Sequence, residues 1–115
     1  MKFEAGDLKP YAEPLSHKDL REGNTYFFLN YLDDELYIPT LNPVVFIGRD
    51  LDGGESGRVW FQDYESHRNG IRYGQSNAAE GVFYSGSQEE TEHIFEFEQA
   101  LNLLMLCSLR RRGLA

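Results

Sequence analysis

Residues 26–84 of this chain alternate aromatic and β-branched runs with turn-forming residues, and one long helical pattern at 87–112 follows them. Twelve of the sixteen aromatic residues fall in that first stretch, so the side chains able to build a core are concentrated there. Aromatic and β-branched residues suit a pleated, half-buried surface. A chain divided in this way is expected to be α+β. The expectation is a curved antiparallel sheet or small β-barrel of about five strands, covered by one long C-terminal helix.

With 115 residues the chain has the size of a single domain that can bury a core without disulfides or metals. Three parts are expected within it: an irregular lead-in at 1–22, a β-rich part at 24–85 and the helix at 87–112. The lead-in holds Pro10 and Pro14, and Ser16 with Asp19 three residues on could cap a short helical turn. Gly23-Asn24 reads as the turn into the first strand.

Residues 25–32 form that strand, apolar on both faces and therefore covered on both sides or strongly curved. Asp33-Asp34-Glu35 is an acidic turn. Leu36-Tyr37-Ile38 reads as a short strand stopped by Pro39, and Pro43 introduces a central strand at 44–47. Residues 52–57 make a flexible connection. Asn69-Gly70 is a strong type I′ hairpin signal, which would pair a strand at 58–68 with the residues after it, Arg68 facing Ile71 and His67 facing Arg72. Val82-Phe83-Tyr84 is a last short strand. In the helix, Ser87 and Glu90 form a capping box, Arg110–Arg112 suit the negative end of the dipole and Gly113 suits the left-handed position beyond it. Ile94, Phe97, Leu101, Leu104 and Cys107 or Ser108 share one helical stripe, which Leu103, Leu106 and Leu109 widen. The widened half is expected to meet either the sheet or a second copy of the chain, so a homodimer through this helix is expected.

A net charge of −8 argues against nucleic acid, whose phosphates call for Lys and Arg, and against an anionic membrane surface. It permits a basic protein partner. With a single cysteine, Cys107, there is no intramolecular disulfide, and the start of the sequence lacks the apolar run of a signal peptide. The expected address is the reducing cytoplasm.

Asp50, Asp52 and Glu55 surround Gly53-Gly54 as a calcium loop might, but the spacing departs from an EF-hand and a solvated turn is the simpler reading. His17, His67 and His93 are dispersed, without the short spacing of a zinc site. On one strand, Asp63 and His67 would stand about 13 Å apart, too far for a catalytic pair. The glycines match neither a P-loop nor a dinucleotide fingerprint. No catalytic residue, metal or cofactor is expected.

Leu29-Asn30-Tyr31-Leu32-Asp33-Asp34-Glu35-Leu36 resembles the aromatic and acidic opening of an SH3 domain. Tyr37-Ile38-Pro39-Thr40 is similar to the proline-bearing segment late in that family. The two pieces adjoin here and flank most of the domain there, and Trp60 has no tryptophan beside it. What the resemblance implies is SH3-like small-barrel strand chemistry.

A small sheet cannot bury twelve aromatic side chains, so some tyrosines are left at the surface, where rigid aromatic groups with a polar tip anchor partners. The expected binding residues are Tyr31, Asp33, Asp34, Tyr37, Trp60 and Tyr64. The expected function is a protein-interaction module using these groups. The alternatives are an acidic immunity-type or inhibitor-type protein that masks a basic partner, and a small ligand-binding barrel with a deep pocket.

Overall fold

A computed structural model describes residues 17–88 and 93–113. It contains a five-stranded antiparallel sheet in the order β4-β3-β2-β1-β5, with β1 at Thr25–Tyr31, β2 at Pro39–Arg49, β3 at Val59–Asp63, β4 at Phe83–Gly86 and β5 at Ile94–Phe95. Helix α1 is Tyr64–Arg68 and helix α2 is Phe97–Arg111. The α+β expectation with a curved sheet holds. The sheet curls without closing into a barrel, since its edge strands β4 and β5 do not pair.

The long strand β2 sits at the centre, where the apolar run at 44–47 pointed. It begins at Pro39, so residues 36–38 form the end of a turn rather than a strand. Pro43 lies inside β2, opposite Phe27. Because Leu32 N–H donates to the Ile38 carbonyl, the alternating ladder makes 31/39, 29/41 and 27/43 the non-bonded pairs. The N–H that Pro39 and Pro43 lack would therefore point away from β1. On that other side, β3 begins to pair only at Val44, opposite Asp63. Both prolines fall where the sheet needs no donor.

The two faces of the sheet bury separate cores. Tyr26, Val44, Phe46, Val59, Phe61 and Ile94 form one cluster with Leu20, and Phe28 packs on it. Leu29 and Phe95 form the other with Ala100, Leu103 and Cys107 of α2, joined by Phe27, Tyr31 and Leu41. Strand β1 thus sends Tyr26 and Phe28 to one side and Phe27, Leu29 and Tyr31 to the other, as a period of two requires. A bulge between Phe46 and Gly48 shifts the register, so Trp60 opposes Gly48 while Phe61 opposes Phe46. Past the bulge Arg49 returns to the Phe46 side, its guanidinium 5.0 Å from that ring. The bulge does not bring Trp60 and Phe61 into one core: Phe61 joins the first cluster and Trp60 packs on Tyr73.

The hairpin expected at Asn69-Gly70 does not form. Strand β3 stops at Asp63, whose carboxylate caps α1 by accepting from Ser66 N–H at 2.9 Å. Asn69-Gly70 ends that helix. Gly70 N–H donates to the His67 carbonyl and Ile71 N–H to the Ser66 carbonyl, the paired bonds of a Schellman cap, with Gly70 at φ +85°. The same dipeptide that favours a left-handed hairpin turn serves here as a helix stop, so the expected pairing of Arg68 with Ile71 and His67 with Arg72 is replaced by one helical turn. The chain then folds back over β3, held by Gln62 Nε2 donating to Ser66 Oγ and the Ile71 carbonyl.

Helix α2 starts ten residues later than expected. Ser87 lies outside it, Glu90 lies outside the described residues, and the capping box is made instead by Glu96 and Gln99. Residues 94–95, expected to be helical, pair with β1 as β5. The buried stripe of α2 is Ala100, Leu103, Leu106 and Cys107, while Phe97, Leu101 and Leu104 face outward. Gly113 takes the left-handed conformation expected beyond the helix, with φ +71°. Likewise His17–Asp19 form a short 3-10 turn, though Ser16, its expected cap, is outside the described residues.

Replacing Gly70 by Ala puts a Cβ into a left-handed residue and is expected to lower stability by about 1 kcal/mol. Urea denaturation checks this. A hairpin turn at 69–70 would suffer from the same change, so the companion variant is Asp63→Ala. It removes the α1 cap and should cost about 1 kcal/mol, whereas a continuous strand through 63–68 would leave it near neutral.

Candidate functional site

In a flat sheet, β1 and β4 would stand about 14 Å apart, three strand spacings. Yet the rings of Phe28 on β1 and Tyr84 on β4 are stacked with centroids 6.3 Å apart and planes within 11°. The sheet has rolled until its far strands face each other across the inside of the curl. His93, just before β5, places its ring 6.4 Å from Phe28 on the same side.

Inside the curl is a cavity of about 270 Å³ lined by Phe28, Val44, Val59, Phe61, Tyr84 and Ile94, with Ser85 and Gly86 of β4 completing the wall. All five strands contribute to it. Its lining is the inward face of the first core cluster, and its polar atoms come mostly from β4. Arg58 fixes that strand from outside, its Nε donating to Ser85 Oγ at 3.0 Å. Among the described residues no strand pairs with the second edge of β4.

A second, open groove of about 400 Å³ adjoins the cavity and shares Val44 and Tyr84 with it. Asn42, Pro43, Asp63, Tyr64 and Glu65 line the remainder. The cleft is thus a pair of adjoining spaces, one apolar and one acidic, with Val44 and Tyr84 in the wall of both. Tyr64 and Tyr84 are 42% and 45% exposed, so both present ring faces to whatever enters. Asp63 contributes less free charge than its position suggests. Its Oδ1 accepts from Val82 N–H at 2.9 Å and from the Ser66 hydroxyl, and its Oδ2 accepts from Ser66 N–H. Partial burial alone would raise its pKa. The Ser66 hydroxyl, the Val82 N–H and the Ser66 N–H outweigh burial and hold the carboxyl below its ordinary value. Exposed Glu65 is the anion left to meet a cation.

The six residues singled out from the sequence do not form one surface. Trp60 opposes Gly48 and Tyr31 opposes Pro39, nine residues apart along β2, or about 30 Å by strand rise. Tyr64 lines the cleft. Trp60 is half-buried on the outer side of the sheet, 5.0 Å from the Tyr73 ring, which itself meets Phe83. Tyr31, Asp33, Asp34 and Tyr37 gather at the β1–β2 turn beside the end of α2. There Tyr31 is half-buried. Burial pushes its hydroxyl pKa upward against the opposing pull of Arg110, and nearby Cys107 adds to the rise. Asp33 shapes the turn: its carboxylate accepts from Tyr37 N–H and, at 2.8 Å, from Ile38 N–H. Those bonds hold its pKa low against the effect of desolvation. Asp34 and Tyr37 are exposed.

Asp63 and His67 lie on one helical turn rather than one strand, so the expected 13 Å separation does not apply. Burial and the nearby Arg72 charge lower the His67 pKa. Asp50 spends its carboxylate on its own loop, accepting from Gly57 and Arg58 N–H groups. Among the described residues no group of three His, Cys, Asp or Glu side chains could hold a metal ion, and no helix is long and apolar enough to cross a membrane.

The cleft residues that sequence reasoning missed are Phe28, Val44, Val59, Phe61 and Ile94. Phe28, Val44, Val59 and Phe61 lie in expected strands and Ile94 in the expected helix. What their spacing could not show is the curl that leaves space between them. Comparison with family models, curated proteins and solved structures finds no match.

Because the folded pKa of Asp63 lies below its unfolded value, its contribution to stability is complete above the ordinary Asp range of about 3.9. It is lost as pH falls through the lower, folded value. Urea midpoints should therefore drop between about pH 5 and pH 2, and Asp63→Asn should flatten part of that fall. An acid limb identical in the variant and the parent would contradict the assignment.

Proposed function

We propose that the protein is an interaction module that captures an extended peptide segment of a partner protein. In this reading one apolar side chain enters the cavity inside the curl, while a neighbouring Lys or Arg meets Glu65 in the outer groove. The observation that carries it is that an apolar space and an acidic one lie side by side, with Val44 and Tyr84 in the wall of both.

Size favours a side chain over a cofactor. Pockets for whole small molecules usually span roughly 300–1,000 Å³, and the apolar part here lies just below that range, at about 270 Å³. No strand among those described pairs with the second edge of β4, where Arg58 donates to the Ser85 carbonyl at 3.4 Å. The rest of that edge suits strand addition, and the cavity beside it gives a place for an alternate side chain. The tyrosines supply rigid area at the rim, and the overall charge of −8 favours encounter with a cationic segment.

An array of short extended peptides tests this, with hits confirmed by backbone amide shifts in solution. Binding is expected for peptides joining a large aliphatic or aromatic residue to Lys or Arg, with shifts at Val44, Glu65, Tyr84 and Ser85. Val44→Phe, which fills the cavity, should abolish binding. Glu65→Lys should weaken it by roughly 1.5- to 5-fold, as the loss of one rim charge would, and the effect should fade at high salt. No binding to any such peptide, or binding unaltered by Val44→Phe in a folded variant, overturns the reading.

A further inference from the structure

The exposed side of α2 carries Phe97 and Leu101, each 61% exposed, with Leu104 and Met105 at 44% and 47%. One edge of the stripe reaches the sheet, where the Phe97 ring meets Phe27 at 4.8 Å. At 100° per residue, positions 97, 101, 104, 105 and 108 lie within an arc of about 100° on one side of the helix, bordering the buried positions 100, 103, 106 and 107. The stripe expected from sequence already holds Phe97, Leu101 and Leu104, and is widened by Leu103 and Leu106 toward the sheet or a second copy. Those two are buried.

A second apolar patch lies near the far end of the helix. Arg110 donates from its guanidinium to the Leu36 carbonyl at 3.3 Å, tying the end of α2 to the β1–β2 turn. That turn exposes Leu32, Leu36, Tyr37 and Ile38. Of the twelve exposed large hydrophobic residues among those described, eight therefore lie on α2 or on the turn it touches. Position 110 lies on the side of the helix opposite the stripe, so the two are separate patches, and the helix stripe is the one that a straight partner helix can cover.

Charge decides which occupant fits. The stripe has an exposed acid, Glu98, at its start and exposed bases, Arg111 and Arg112, at its end. A partner of one sign would satisfy one end and repel the other. A parallel copy would set like charges together. An antiparallel copy brings Glu98 of each chain to Arg111 and Arg112 of the other, with the two helix dipoles opposed. The two-fold arrangement uses one surface twice, as an isologous dimer must. We infer that the protein forms an antiparallel homodimer through Phe97, Leu101, Leu104 and Met105 of α2. The helix is about 22 Å long, so its stripe alone falls short of the roughly 800 Å² per partner of a standard interface. The dimer is therefore one of micromolar rather than nanomolar stability.

Sedimentation equilibrium of the full chain from low to high micromolar concentration tests this. A concentration-dependent dimer is expected. Leu101→Glu, at an exposed position where the monomer loses no packing, should raise the dissociation constant about tenfold or more, with the melting temperature of the dilute protein unchanged. Glu98→Arg should weaken the dimer, and combining it with Arg111→Glu should restore it, because an antiparallel pair keeps both charge contacts after the swap. A monomeric mass throughout overturns the inference, as does a dimer indifferent to Leu101→Glu or a double variant no better than Glu98→Arg. A monomer that instead co-sediments with phosphatidylcholine vesicles overturns it in favour of a lipid surface.

Discussion

Strand β1 is apolar on both faces, and the fold is organised around satisfying both. Tyr26 and Phe28 point one way, Phe27, Leu29 and Tyr31 the other, and burying either set alone would leave a row of aromatic rings in water. Each fully buried aromatic or aliphatic side chain contributes about 1.5–3 kcal/mol, so neither row can be left open in a domain this small. Helix α2 covers the outer row with Ala100, Leu103 and Cys107. Among the described residues no second layer of comparable size lies on the inner row. The sheet covers it by rolling, until Tyr84 of β4 reaches Phe28 of β1. Rolling a sheet against itself fills space less completely than packing a helix on it, and the cavity lies on the rolled side.

Asp63 links the strand layer to the rest. One carboxylate ends β3, caps α1 through Ser66 and anchors the return of the chain through Val82, just before β4. It thereby sets where β4 lies, and β4 supplies one wall of the cavity. Beside it Gln62, fully buried, holds Ser66 and Ile71 from the neighbouring position. Cleft geometry therefore depends on a small polar cluster that binds no ligand itself in the proposed scheme.

The two-layer α+β plan was legible from residue types alone, because paired apolar faces at 25–32 and 44–47 require cover and the pattern after 97 is helical. Central placement of β2 was legible for the same reason, as was Gly113 as a helix stop. The misreadings have a common cause. Asn69-Gly70 and the prolines at 39 and 43 were read by local propensity, whereas their roles depend on what lies across from them. Asn-Gly adopts a positive φ equally well in a hairpin and after a helix, and only the Asp63 cap distinguishes the two. Pro43 reads as a strand boundary until the ladder shows that its N–H has no partner to lose. Strand β5, at two residues, is too short to show any period. Of the expected binding residues only Tyr64 reaches the cleft, since exposure and proximity both follow from a curl that no window of sequence encodes.

Two surfaces on opposite sides of the sheet follow from this arrangement. The inner one is concave, apolar at depth and acidic at its rim; the outer one is the free side of the helix that covers the sheet. Occupation of one leaves the other accessible, so a dimer could present two clefts at once and bind a partner carrying repeated segments more tightly than either cleft alone. Everything on the inner side rests on the curl. The most direct measurement is a set of proton–proton Overhauser contacts in solution between the rings of Phe28 and Tyr84 and from Ile94 to Phe28. Strong cross-peaks between Phe28 and Tyr84 are the expected result. Their absence, with the β1–β2 and β2–β3 contacts intact, would mean an open, flatter sheet, and the cleft would not exist.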